Sequence, residues 1–240
     1  MEHTPEEAVL NNVIATRDLI DASEEAGAER LVMLSTDKAV NPRSVMGASK
    51  RLAELLLAER TGGLRLMAVR FGNVLGSRGS VVPLFLHQIK RGGPVTVSHA
   101  DVSRYFMTQK EAVMLVLESG AMGEGGEIFI LDMGDQIRIM DLARGLITLS
   151  GLRPEIDVKI EVSELERGEK LREELVHDFE ALHPTRNSRI QAARRKAGKN
   201  QLVGSAIERL EVLARTADRD GIRRELSALL PEASLGSEGT

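Results

Sequence analysis

Across residues 1–71 the sequence alternates between helical periodicity and short, continuous apolar runs, and few folds accept that alternation. From Pro5 onward, Val9, Val13, Leu19 and Ile20 recur at helical spacing. Thr4 with Pro5 and Glu7 predicts a capping-box start for this helix, and Gly27 its end. Arg30 to Ser35 then encloses a run, Leu31-Val-Met-Leu34, of the kind that forms a buried parallel strand. A polar turn through Asn41-Pro42 leads to a second helix over 44–61, closed by Gly62-Gly63, and a second buried strand over 66–71. Helix, strand, helix, strand in this order is the grammar of a doubly wound α/β sheet.

Beyond residue 71 the pattern predicts helices over 82–91, 109–119 and 139–150, with strands at 95–97, 128–131 and 157–162. Two further helices, over 202–216 and 219–229, precede a polar tail. No glycine-rich turn joins a first strand to a first helix; Gly120 to Gly126 precedes a strand and reads as a loop. A complete dinucleotide fold needs such a turn, so that a pyrophosphate can approach helix N-terminal amides. The sequence therefore predicts the later strands of such a sheet without its dinucleotide-binding half. The organisation expected is a main portion over 1–190, including a small lobe, and a helical tail over 191–240.

Composition narrows the function. A net charge of −4 argues against a nucleic-acid-binding domain, which would carry a clustered basic surplus. Cysteine is absent, so thiolate metal sites and disulfides are excluded, and the five histidines have no ligand-like spacing. They read as packing residues, as do Met33, Met114 and Met140, and Arg194-Arg195-Lys196 reads as a solvated helix face. No apolar run is long enough to span a bilayer and the N-terminus is acidic, which predicts a cytoplasmic chain without membrane contact of its own.

The chemistry concentrates in Leu34-Ser-Thr-Asp-Lys-Ala-Val-Asn-Pro42 and Val45-Met-Gly-Ala-Ser-Lys50. Ser35, Thr36, Asp37 and Lys38 fall at the C-terminal end of a strand, where open α/β sheets place ligands. A hydroxyl, a carboxyl and an ammonium side by side make an acid/base set. Met46 and Lys50, four apart, share one face of the following helix. From spacing alone, a solvated turn and an ordinary helix surface explain the same residues. A second cluster, Asn73 to Pro83, offers backbone amides and the Arg78 guanidinium, suited to a diphosphate or to a plain loop.

These stretches, with Arg70-Phe-Gly-Asn-Val-Leu-Gly-Ser-Arg-Gly-Ser-Val-Val-Pro83, resemble the UDP-N-acetylglucosamine 4,6-dehydratases of bacterial polysaccharide biosynthesis. These are extended short-chain dehydrogenases/reductases, with Met46 standing where that superfamily's tyrosine is expected. The resemblance implies the later strands of a Rossmann-type parallel sheet, a small substrate-binding lobe and a helical C-terminus. It also implies bound NAD, a UDP-sugar substrate, and a longer parent anchored on the cytoplasmic face of the inner membrane. In residue terms, Lys50 would hold the nicotinamide ribose, beside Ser35, Phe71 and Asn73. Thr36 would bond the sugar C4 oxygen, Asp37 would protonate the departing C6 hydroxyl, and Lys38 would remove the C5 proton. Asn73, Arg78, Val81, Arg104 and Glu169 would bind the UDP-sugar, and Asn12 would act structurally beside the site. Met46 cannot transfer a proton, which leaves open the group that deprotonates the C4 hydroxyl. A homo-oligomer, or association with the absent N-terminal half, is expected. The competing readings are a nucleotide-sugar 4-epimerase and a non-catalytic fragment; an epimerase has no use for an acid and a base at Asp37 and Lys38.

Overall fold

The computed structural model describes residues 1–60, 62–77, 79–195 and 203–235. In chain order the elements are α1 (Pro5–Val9), a π turn (Leu10–Ile14), α2 (Ala15–Glu25), β1 (Arg30–Thr36), α3 (Val45–Glu59) and β2 (Arg65–Phe71). Then come β3 (Asn73–Val74), α4 (Val81–Lys90), β4 (Val95–Val97), β5 (Ser103–Arg104), β6 (Phe106–Met107) and α5 (Gln109–Met122). The chain continues through β7 (Ile128–Leu131), β8 (Ile137–Arg138), α6 (Ile139–Leu149) and β9 (Ile160–Val162). It ends with β10 (Glu180–Pro184), β11 (Ile190–Arg195), α7 (Val203–Arg215) and α8 (Arg219–Leu229). They form two compact units, one of residues 1–71, 115–132 and 174–240, the other of 72–114 and 133–173.

The first unit is built on a five-stranded sheet in the order β1-β2-β7-β11-β10. β1, β2 and β7 are parallel, as their continuous apolar runs predict, and β11 and β10 add on antiparallel. That hairpin corrects the helical reading of Arg194 and Arg195, which lie in β11, while Lys196 is outside the described residues. One layer of the core, Ile20, Met33, Ala53, Leu57, Leu66 and Ala68, lies between α2, α3 and the first two strands. A second joins Val9, Val13, Ala48, Leu52 and Leu56 to Ile207, Leu210, Ile222 and Leu226 of the C-terminal helix pair. The two last helices thus cover an apolar face of α1, the π turn and α3 rather than forming a separate tail. Each buried leucine or isoleucine there contributes on the order of 1.5–3 kcal/mol.

The second unit packs α4 and α6 around Phe85, Ile89, Val95, Val97, Ile139, Ala143, Ile147 and Val158. Three two-stranded pairings, β3–β6, β4–β9 and β5–β8, complete it. Two local details differ from expectation. Thr4 precedes α1 without a side-chain cap, and the capping box occurs instead at Thr108 and Glu111, which bond each other's backbone amides at the start of α5. Met114 is 60% exposed, so it does not pack, whereas Met33 and Met140 do. Among the described residues no helix is long and apolar enough to cross a membrane.

Candidate functional site

In the first unit the strand-to-helix corner between β1 and α3 gathers the residues that the sequence singled out. β1 delivers Thr36, and a 3-10 turn over Asp37–Ala39 follows at once. Thr36 Oγ1 donates to Asp37 Oδ1 at 2.9 Å, and Lys38 Nζ donates to the same oxygen at 2.9 Å. Asp37 is fully buried, while the Lys38 side chain retains 29% exposure. The other carboxyl oxygen, Asp37 Oδ2, is buried with no hydrogen-bond partner. A buried acceptor left over in this way is costly unless a ligand hydroxyl or a proton on the carboxyl satisfies it.

α3 begins at a Ser44 cap, whose hydroxyl accepts from the Gly47 amide at 3.0 Å. Its first turns present Met46 and Lys50, both half-buried, toward the strand end. Lys50 Nζ donates to the Leu34 carbonyl at 3.2 Å. Burial lowers the Lys50 pKa from the ordinary lysine value, and the nearby Glu54 carboxylate offsets part of that. Gly47 explains how close the helix comes: a Cβ there would overlap the Lys38 carbonyl and lie 3.2 Å from Pro42 Cβ. Asn12, in the π turn, donates to Ser49 Oγ at 2.9 Å and so ties that turn to α3. Phe71, half-buried, ends β2 opposite Thr36 in register.

Beneath the corner lies a buried charge network that inspection of the sequence missed. Ser35 Oγ donates to Glu54 Oε1 at 2.6 Å, so the Ser35 hydroxyl is engaged below the site. Arg70 binds Glu54 through Nη2 at 2.7 Å and Glu180 through Nη1 at 2.9 Å, and Arg51 binds Glu54 at 2.9 Å. Burial pushes the Glu54 pKa upward, but the Arg70 and Arg51 charges and the bonds from Arg70 and Ser35 outweigh it, holding the carboxyl at about 2. His177 lies alongside, 1% exposed and stacked on Phe179 at 4.5 Å between centroids. Burial and the Arg51 charge drop its pKa to about 3. Charged residues inside apolar runs were the available signal: Arg70 follows Leu66-Met-Ala-Val, and Glu54 interrupts Leu52-Ala and Leu55-Leu-Leu.

In the second unit, β3 and β6 fix the Asn73 backbone, its amide bonding the Tyr105 carbonyl at 3.0 Å. Val81 opens α4, and Arg78 lies outside the described residues. Arg104 is buried, and its Nη2 donates to Glu169 Oε1 at 2.6 Å, with Ser98 Oγ donating to the same oxygen at 3.1 Å. Two of the residues expected to bind the UDP-sugar, Arg104 and Glu169, are thus paired with each other. An anion approaching Arg104 competes with Glu169 for one side of the guanidinium.

Comparison with known proteins places this geometry. A family model described as "Polysaccharide biosynthesis protein" matches residues 1–195. The capsular polysaccharide biosynthesis protein CapD of Staphylococcus aureus is 53% identical over 187 residues, which is 77% of this chain and 31% of CapD. UDP-glucose 4-epimerase of Rickettsia typhi is 39% identical over 134 residues, 54% of this chain and 39% of that protein. The X-ray structure of Pen from Bacillus thuringiensis superposes with a TM-score of 0.66 at 38% identity, covering 72% of this chain and 55% of Pen. A dTDP-glucose 4,6-dehydratase from Streptomyces venezuelae, solved with NAD, shares the fold alone, at TM-score 0.61 and 23% identity, covering 68% of this chain and 56% of that one. The chain thus spans less than a third of the length of CapD and about half of the solved neighbours. With its α/β sheet in the Rossmann-type arrangement of nucleotide-sugar dehydratases and epimerases, it belongs to the polysaccharide biosynthesis protein family.

Proposed function

We propose that this chain is the sugar-transforming part of a nucleotide-sugar 4,6-dehydratase acting on UDP-N-acetylglucosamine. The observation that carries the reading is the convergence of Thr36 and Lys38 on one oxygen of buried Asp37, with its second oxygen unpartnered. NAD, when bound, supplies an acceptor for the C4 hydride and returns that hydride at C6. The residues present fit it in part: Lys50 is half-buried at the strand end and suited to a ribose hydroxyl, and Phe71 ends the adjacent strand. The pyrophosphate grip is to be supplied by a glycine-rich half that this sequence does not contain.

The chain's own residues account for the protons. Thr36 Oγ1, already donating to Asp37, offers a route for the C4 hydroxyl proton to reach the carboxylate, a task Met46 cannot perform. Protonated Asp37 then gives that proton to the departing C6 hydroxyl, which leaves as water. Once Asp37 is neutral, Lys38, whose side chain retains 29% exposure, gives its own proton to solvent. As the free amine it takes the C5 proton, returns it to C5 when C6 is reduced, and regains a proton from solvent as the ion pair re-forms. Substrate loses one water overall, and both side chains end as they began. Asp37 and Lys38 also favour dehydration over 4-epimerisation, which needs neither an acid at C6 nor a base at C5.

The test joins this chain to the part of a relative such as CapD that this chain does not match, adds NAD and supplies UDP-N-acetylglucosamine. A 4-keto-6-deoxy sugar is the expected product; an epimerised sugar alone overturns the dehydratase reading, and no turnover favours a non-catalytic fragment. In the active fusion, Asp37→Asn keeps the shape and removes the transferable proton. The expected loss in kcat is at least about 100-fold, the usual scale of general acid catalysis. Near-normal turnover by that variant would remove Asp37 from the mechanism.

A further inference from the structure

We propose that Glu54 is a positioning residue, whose buried carboxylate fastens the end of β1 to α3 and so sets Lys50 against Thr36, Asp37 and Lys38. The inference rests on the reading of that corner as the reacting site, but its geometry stands independently. Ser35 and Arg70 are register partners across β1 and β2, so their side chains project to the same face of the sheet. Glu54 lies over that pair: Oε1 accepts from Ser35 Oγ at 2.6 Å and from Arg70 Nε at 3.1 Å. Oε2 accepts from Arg70 Nη2 at 2.7 Å and from Arg51 Nη1 at 2.9 Å. One carboxylate thereby bridges two strands and a helix.

The positions on either side give this bridge its consequence. Ser35 is the residue immediately before Thr36, and alternation along the strand turns Thr36 to the opposite face, away from the network. Lys50 is one turn before Glu54 on α3, and its ammonium reaches back to the Leu34 carbonyl, the residue before Ser35. Fixing Ser35 to Glu54 therefore fixes the spacing between the two halves of the proposed site. A purely stabilising role would need only the arginine pairs. The Ser35 bond is the part that reaches the strand end, and Glu180 already gives Arg70 a second carboxylate.

The experiment uses the full chain and reads amine chemistry and amide exchange, so it does not depend on turnover or on the identity of the sugar. In Glu54→Gln, loss of the negative charge one turn away leaves a larger neutral fraction of Lys50. Its acylation rate by acetic anhydride near neutral pH, followed site by site by mass spectrometry, should rise about threefold or more. The exposed Lys90 should stay unchanged and serves as the internal standard. Ser35→Ala keeps every charge and both arginine pairs, and should speed amide exchange across residues 35–40 about tenfold or more, leaving residues 66–69 of β2 protected. Folded Glu54→Gln with an unchanged Lys50 acylation rate overturns the proposal. If that variant does not fold, Ser35→Ala decides: unaltered exchange over 35–40 overturns the inference, and selective acceleration supports it. A dehydratase reading that fails for lack of a 4-keto product leaves these outcomes untouched.

Discussion

Single residues at the β1–α3 corner are held by distances small enough that a methyl group matters. Gly47 has an ordinary helical backbone, so its reason for being glycine is space and not conformation: a side chain there would overlap the Lys38 carbonyl. Alanine at an interior helix position normally stabilises by up to about 1 kcal/mol relative to glycine. Overlap with a backbone atom that cannot rotate aside costs about 1–3 kcal/mol and displaces the 3-10 turn that carries Asp37. The clash is expected to win. Gly47→Ala should lower the thermal midpoint and, in an active fusion, cost turnover beyond what the stability loss explains. A stabilised variant of normal activity would show that the turn has room to move.

At the level of elements, the segment 174–180 is strapped over the loop that follows β1. Asn41 donates to Glu174 at 2.8 Å and its carbonyl oxygen accepts from His177 Nδ1 at 3.2 Å, while Arg70 donates to the Leu175 carbonyl at 2.8 Å. Since the Asn41 amide nitrogen is used on Glu174, its oxygen faces the histidine, which assigns the ring proton to Nδ1. His177 Nε2 is buried without a partner, so a second proton has nowhere to go. A folded pKa of about 3 against an ordinary 6.5 means that the unfolded chain binds more protons throughout that interval. Stability contributed by neutral His177 is therefore full above pH 6.5 and lost progressively down to about 3, on the order of 5 kcal/mol in all. Between pH 6.5 and about 5.5, above the range in which Glu54 takes up protons in the unfolded chain, denaturation midpoints should fall more steeply for the native chain than for His177→Gln. Parallel curves would show that the histidine titrates freely. This strap also marks the limit of what sequence inspection reached. Thr36, Asp37, Lys38 and Lys50 were legible because one strand end and the next helix turn hold them all. Arg70 and Glu180 are 110 positions apart and meet only through sheet order, and β10 and β11 lacked the continuous apolar run that identified β1, β2 and β7.

At the scale of the whole molecule, the sheet stops at β1, whose second edge has no neighbouring strand among the described residues. Doubly wound parallel sheets are normally covered on both faces and continue past the strand that bears the site. Here Leu34, on the face of β1 opposite α3, is 50% exposed, and Leu117 of α5 is 65% exposed. α5 lies against that same strand, Arg30 donating to the Gly120 and Ala121 carbonyls at 2.8 and 2.6 Å. An open strand edge bordered by exposed leucines is a template for further strands and an apolar patch together. The chain alone should therefore associate as its concentration rises, with a molar mass by sedimentation velocity that falls on dilution. Leu117→Lys places a charge on the helix side of the patch, away from the residues proposed to react, and should shift the distribution toward monomer without lowering the thermal midpoint. Co-expression with the part of a relative such as CapD that this chain does not match should suppress association in the same way if that half supplies strands to pair with the β1 edge. A native chain that stays monomeric at every concentration, and that ignores both the substitution and the added half, would mean that β1 is a tolerated edge and that this chain needs nothing against it.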